Sequence, residues 1–209
     1  MTFELPLRLQ GDLVILEKLE PSHREPLRAA AQGDDAIWTY FPLNYNGAGE
    51  HFDEWFDYTT EQLEQGRHFP FAVRRRSDSR IIGTTRYYDL VSDHKRLAIG
   101  STWYSMEVRG SLINSEVRLL TLGYAFERLD VNRVEMITDP RNMNSRAAMR
   151  ILGATQEGIM RSHLIYRDGR IRDSILFSII RSDWPAVKKR LCERLETVAP
   201  ESPGRTMSG

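Results

Sequence analysis

The chain of 209 residues holds a single cysteine, Cys192. That excludes an internal disulfide framework and any zinc site built on cysteine thiolates, and no other metal-ligand cluster stands out. Charge of either sign is not in excess: 29 Lys plus Arg stand against 29 Asp plus Glu. A general nucleic-acid binder or a protein that adheres to a membrane surface would show a basic surplus, so neither partner is expected. No apolar run approaches the roughly 20 residues that cross a bilayer. The opening MTFELPLRLQGD carries an early acidic residue and no apolar stretch of the kind a secretory signal needs. Internal repeats are lacking, and low complexity is confined to the Pro/Gly/Ser-rich end, TVAPESPGRTMSG. What is present is 41% hydrophobic and 28% charged residues, enough apolar matter to bury a core. The expectation is a cytoplasmic, reduced α+β protein, with one domain over residues 1–197 and a disordered tail over 198–209.

Hydrophobic periodicity orders the elements. Leu13 to Leu16 reads as a strand after the Gly11-Asp12 turn. Pro21-Ser22 opens a helix to about Gln32, Asp34-Asp35 caps a short one through Trp38 that stops near Pro42, and a longer one runs from Glu50 to Gln65. Strands follow at Phe69–Arg75, Arg80–Tyr88 and Leu97–Tyr104. A helix from about Asn114 to Leu129 carries apolar residues on more than one side and is expected between layers. Next come a strand, Arg133–Thr138, and a helix, Asn142–Leu152, stopped by Gly153. Strands Glu157–Tyr166 and Arg170–Ile180 flank the hairpin signal Asp168-Gly169, and Trp184-Pro185 opens a last helix. This order predicts a mixed α/β arrangement, a central sheet with helices on both faces.

Two segments carry chemistry. In WYSMEVRGSLINSE (103–116), a strand passes through a short Gly-containing loop straight into a helix. Such a loop turns consecutive backbone N–H groups toward one spot, and the helix dipole adds positive potential there, an arrangement suited to phosphate. Arg109 adds a full charge at the rim. The glycine spacing is that of neither the dinucleotide fingerprint nor a nucleotide P-loop. In TDPRNMNSRAAMRILGA (138–154), Asn142, Asn144 and Ser145 cluster at a helix start, where one capping side chain would suffice. They serve as caps or meet a ligand lying between this helix and the preceding one.

These segments, followed by QEGIMRSHLIYRDGRIRDSILFSI, resemble the GCN5-related N-acetyltransferase superfamily. The likeness is nearer to its bacterial group of ribosomal-protein N-terminal-alanine and -serine acetyltransferases. It is strongest from Leu97 to Ile180 and extends more loosely back to Leu7. The resemblance implies a mostly antiparallel sheet splayed between its fourth and fifth strands, acetyl-coenzyme A as co-substrate, no metal, and a primary amine as acceptor. It places Arg109, Gly110, Ser111, Leu112, Ile113 and Asn114 on the pyrophosphate loop Gln/Arg-x-x-Gly-x-Gly/Ala, with Leu112 where glycine is usual. Trp103 and Tyr104 match the strand end that pairs with the pantetheine arm, and Asn142 and Ser145 match the second coenzyme-binding helix.

An amine must be uncharged to attack a thioester, so the site needs a route for its proton. The resemblance implies Glu157 as the base and Ser145 as hydrogen-bond donor to the departing thiolate, since the region around Met149 has no tyrosine. His163 is the second candidate base. Glu157 also reads as a structural carboxylate and Ser145 as a capping serine. The stripe Glu50, Asp53, Glu54, Asp57, Glu61 and Glu64 either borders the acceptor cleft or is a solvated helix face. Trp38, Tyr40 and Phe41 line that cleft or belong to the core. Arg74-Arg75-Arg76 is solvated or meets the coenzyme's adenosine phosphate. Two functions fit: an active amine N-acetyltransferase, acting by direct attack in a ternary complex, or a catalytically weak acyl-coenzyme A-binding sensor or assembly module. Edge strands and the last helix make a homodimer the expected assembly.

Overall fold

The computed structural model describes residues 3–33, 39–41, 50–166 and 169–197. The helix expected from Asp34 to Trp38, its stop at Pro42, Asp168 of the hairpin turn and the tail from residue 198 lie outside these residues. The elements are β1 (Arg8–Gln10), β2 (Val14–Lys18), α1 (Arg24–Ala31), α2 (Glu50–Glu64), β3 (His68–Arg75), β4 (Ile81–Val91) and β5 (Arg96–Tyr104). They continue with α3 (Ile113–Glu127), β6 (Arg133–Thr138), α4 (Met143–Leu152), β7 (Thr155–Ile165), β8 (Ile171–Ile180) and α5 (Trp184–Glu196). Hydropathy gives no sign of β1, because its three residues are exposed, half-buried and exposed. The expected fourth and fifth strands are therefore β5 and β6.

All eight strands form one sheet in the order β1-β2-β3-β4-β5-β6-β8-β7. Every neighbouring pair is antiparallel except β5 and β6. Alternation along the strands sends one set of side chains to each face, and each set finds its own helices. Leu16, Phe71, Tyr87, Ile99, Val134 and Phe177 pack with Val117, Leu122 and Phe126 of α3 and Val187 of α5. On the other face, Leu27 of α1 and Phe52, Trp55 and Phe56 of α2 pack with Ala72 and Trp103. Trp55 and Trp103 are edge-on at 5.7 Å. Each such buried aromatic contributes about 1.5–3 kcal/mol relative to exposure.

Salt bridges and caps fix the helices over the sheet. Asp53 of α2 takes Arg24 and Arg28 of α1, both at 2.6 Å. Trp184 of α5 stacks on Phe126 of α3 at 5.5 Å, and its indole N–H donates to Glu127 at 2.8 Å. The left-handed Gly153 (φ 91°) ends α4, as a helix stop requires.

Candidate active site

The sheet is open in one place. β5 and β6 pair only at Arg96 with Arg133, Leu97 with Val134 and Ala98 with Glu135. Beyond Ala98, β5 runs on to Tyr104 while β6 runs on to Thr138 paired with β8 alone. From Ile99 to Tyr104, β5 thus presents a backbone edge that no strand among the described residues covers. Within that edge lies a bulge. Thr84 faces Trp103 and Arg86 faces Gly100, so Thr85 stands against two residues, Ser101 and Thr102. Ser101 holds φ 47°, a left-handed conformation that costs a non-glycine residue about 1–2 kcal/mol. A bulge leaves backbone groups out of the ladder and aims them elsewhere, and strain of this kind gathers where a ligand must be met. The run Gly100-Ser101-Thr102 inside an otherwise apolar strand was the signal for it in the sequence, since a mid-strand glycine marks a bulge or a close approach.

Past the bulge, β5 ends in the expected anion loop. Arg109 Nε and Nη2 each donate to the Tyr104 carbonyl at 3.1 Å, which folds the cation back over the strand end. Gly110 has φ 76°, which a side chain would oppose. Ser111 Oγ donates to the Val108 carbonyl at 2.6 Å and accepts from the Ile113 N–H at 3.3 Å. Leu112 is the N-cap of α3, in an ordinary right-handed conformation (φ −75°, ψ −8°) with no capping side chain. Its backbone therefore has no need of the glycine usual at that position. The N–H groups of Asn114 and Ser115 have no acceptor within the helix, as at any helix start. The one acid in the first turn, Glu116, faces away from the loop. Its carboxylate is 4% exposed as a residue and accepts the N–H groups of Asp12, Leu13 and Val14 at 2.7, 2.8 and 2.7 Å. The loop's other acid, Glu107, is met by Arg75 at 3.0 Å and Arg80 at 3.4 Å from the β3–β4 turn. The opening therefore keeps helix-start N–H groups and a cation, a donor set that fits a diphosphate.

Of the other coenzyme contacts expected, Trp103 is core, with its ring against Trp55, so only its backbone reaches the open edge. The Tyr104 hydroxyl donates to Asn114 Oδ1 at 3.3 Å. Asn142 Oδ1 accepts the Ser145 N–H at 3.0 Å and is the cap of α4. Because β5 and β6 are parallel, the starts of α3 and α4 open at the same end of the sheet.

Glu157, the expected base, is held on both of its carboxylate oxygens. Arg133 Nη1 and Nη2 donate to its two oxygens at 2.5 Å, and Ser178 Oγ donates at 2.5 Å. The Arg133 hydrogen bonds lead in holding its pKa down to about 2, so it is a weak proton acceptor at neutral pH. His163 Nδ1 lies 3.0 Å from Ser174 Oγ on the exposed side of β7.

The residues expected to border the acceptor cleft lie on and around α1 and α2. Asp53 and Asp57 of the acidic stripe are engaged by Arg24, and Asp53 also by Arg28, while the Glu50 side chain lies outside the described residues. Phe41 packs against the α1–α2 core, and the Tyr166 hydroxyl donates to the Tyr40 carbonyl at 3.0 Å. Asp139, 2% exposed, accepts the Arg141 N–H at 2.8 Å and has Arg170 at 3.4 Å, closing the rim beside the splay. The Arg74-Arg75-Arg76 run is spent within the fold: Arg74 on Glu17 at 2.8 Å, Arg75 on Asp78 at 2.5 Å, Arg76 on the Gly11 carbonyl at 2.9 Å. Among the described residues, no cluster of His, Cys, Asp and Glu could hold a metal, and no helix is long and apolar enough to cross a membrane.

A protein-family model described as an acetyltransferase (GNAT) domain matches residues 14–155. YjcK of Bacillus subtilis strain 168, named as a probable N-acetyltransferase, is 28% identical over 123 residues, which is 59% of this chain and 67% of YjcK. A GCN5-related N-acetyltransferase from Brucella melitensis superposes with a TM-score of 0.83 at 27% identity, over 93% of this chain and 86% of that one. RimJ of Mycobacterium smegmatis, solved in complex with CoA-disulfide, shares the fold with a TM-score of 0.73 at 21% identity, over 91% of this chain and 93% of that one.

Proposed function

The chain belongs to the GNAT acetyltransferase family, and from that premise we propose that it carries an acetyl group from acetyl-coenzyme A to an α-amine by direct attack in a ternary complex. The observation that carries this reading is the uncovered edge of β5 after Ala98, with its bulge at Ser101. The pyrophosphate meets Arg109 and the N–H groups at the start of α3, and the acyl-pantetheine arm lies along the uncovered edge. A backbone N–H released by the bulge polarises the thioester carbonyl and stabilises the oxyanion as the amine attacks. The oxyanion collapses to the amide as the C–S bond breaks, and the proton the amine nitrogen gives up passes through water to the leaving thiolate, with the Ser145 hydroxyl placed to relay it.

The acceptor class follows from Glu157. With that carboxylate tied to Arg133 and Ser178, the amine must lose its proton without a strong base. An α-amine with a pKa of about 7.7–8.0 is already about a tenth neutral at pH 7, whereas a lysine at about 10.4 is neutral less than about one time in a thousand. The α-amines of peptide N-termini are therefore the acceptors this site suits.

A thiol-release assay with acetyl-coenzyme A tests this over peptides with free N-termini, amino acids and N-terminally blocked lysine peptides. Turnover is expected for peptide N-termini, with amino acids slower and blocked lysine peptides at least about a hundredfold slower at pH 7. Thermal stabilisation by acetyl-coenzyme A without thiol release to any amine would replace the enzyme by an acyl-coenzyme A sensor.

A further inference from the structure

Arg118 stands in the middle of α3, five residues past Ile113 and so about 7.5 Å along the axis from the helix start. Its Nη2 donates to Thr102 Oγ1 at 3.3 Å, and Thr102 is one of the two bulge residues of β5. The same threonine hydroxyl shares a 2.7 Å hydrogen bond with Thr85. Nη1 is buried and has no hydrogen-bond partner among the described residues. Burial lowers the guanidinium pKa, and the ionisable groups facing it from the sheet are the phenols of Tyr104, Tyr88 and Tyr87. Burial raises all three, so they stay neutral. Arg133 shows the usual alternative: two carboxylates, Glu135 at 2.7 Å and Glu157 at 2.5 Å, surround it.

A buried cationic donor is normally satisfied, and one that is not marks a place where a partner is due. The residue is half-buried, and its guanidinium turns to Thr102, on the strand that borders the splay. Its Nη2 contact with Thr102 holds the guanidinium at the bulge rather than at the anion loop. Whatever lies along the open edge of β5 passes beside it.

We propose that Arg118 is a coenzyme-binding residue, whose Nη1 donates a hydrogen bond to a carbonyl oxygen of the acyl-pantetheine arm. This rests on the acetyl-coenzyme A reading above and adds a side-chain donor to the backbone edge. The arm offers neutral carbonyls, two amides and the thioester. They satisfy a donor among phenols without bringing a second charge into the site. The sequence held the signal: Arg118 is a lone cation between the apolar stripes Leu119-Leu122-Phe126 and Val117-Leu120.

Calorimetric titration of wild type, Arg118→Met and Arg118→Lys with coenzyme A and with 3′-phospho-ADP, which keeps every phosphate of the coenzyme and lacks the arm, tests the assignment. Arg118→Met is expected to weaken coenzyme A about tenfold and leave 3′-phospho-ADP unchanged, with Arg118→Lys in between. Without ligand, Arg118→Met should melt at or above the wild-type temperature, because it removes a buried cation that lacks a counter-charge. Equal coenzyme A affinity in Arg118→Met overturns the proposal. So does an equal loss for 3′-phospho-ADP, which would assign the guanidinium to the phosphates. A lower melting temperature with the ratio of the two ligand affinities unchanged would make Arg118 structural. Wild type that binds neither ligand would overturn the function as well as the residue.

Discussion

The starts of α3 and α4 lie at the same end of the sheet and are finished in opposite ways. At α4, Asn142 turns its side-chain oxygen onto the Ser145 N–H, and the strand that follows has its acid locked to Arg133 and Ser178. At α3, the cap position is a leucine with no oxygen to offer, and the first acid is directed toward β2. One helix start is complete in itself. The other keeps its dipole and donors for something outside the chain. A helix that forgoes a cap gives up about 1 kcal/mol, and the positive potential it retains is what an anion would use. The coenzyme site proposed above rests on that difference, with the phosphates on the α3 side of the splay and the α4–β7 side as its support.

The largest effect should come from removing what holds the open start in place. Glu116 receives three N–H groups from the beginning of β2 at 2.7–2.8 Å. In Glu116→Ala those donors lose their acceptor and the first turn of α3 loses its anchor. A stability loss of about 2–4 kcal/mol is expected in urea unfolding. Coenzyme affinity should fall further than global stability predicts, since the loop is no longer presented. A loss below about 1 kcal/mol would mean that α3 is positioned by its apolar packing alone, and the open start would owe nothing to Glu116.

Much of this contrast was legible beforehand. Periodicity located all five helices described here, and Arg133–Thr138 matches the expected span residue for residue. The loop at Arg109–Asn114 was readable because strand, glycine and helix follow one another along the chain. What stayed hidden depends on residues remote in sequence. Glu157 meets Arg133, 24 positions away, and Glu116 meets β2 more than 100 positions away. No local pattern encodes such pairs. Gly100 marks an irregularity in β5, but the register against β4 that makes it a bulge at Ser101 and Thr102 is not fixed by the β5 sequence alone.

A paired exchange at the two starts should have the next effect. Leu112→Asp gives α3 the kind of cap that Asn142 gives α4. The apo helix gains about 1 kcal/mol, while the new carboxylate fills the anion position and repels a diphosphate. Coenzyme A should bind about tenfold more weakly or worse by calorimetry. Asn142→Ala should do the reverse: about 1 kcal/mol less stable, with coenzyme affinity changed by less than about threefold. If Asn142→Ala loses affinity as strongly as Leu112→Asp, the α4 start binds ligand too, and the contrast dissolves.

The smallest effect concerns Glu157, and it decides whether the α4–β7 side does chemistry. Its side chain is 34% exposed, so solvent screens the pairing with Arg133. Glu157→Gln should cost less than about 1 kcal/mol at pH 7. The folded carboxyl titrates near 2, against 4.5 for its ordinary value. The unfolded chain therefore binds the extra proton first as pH falls, and the stabilisation is fully present above about 4.5 and lost toward about 2. Wild-type and Glu157→Gln unfolding curves should run parallel above pH 5 and converge below it. Turnover at pH 7 should change by less than about threefold, whereas loss of a general base costs about a hundredfold or more. A hundredfold drop would make Glu157 the proton acceptor despite its arginine. The preference for α-amines would then lose its reason, because a competent base would admit lysine as well.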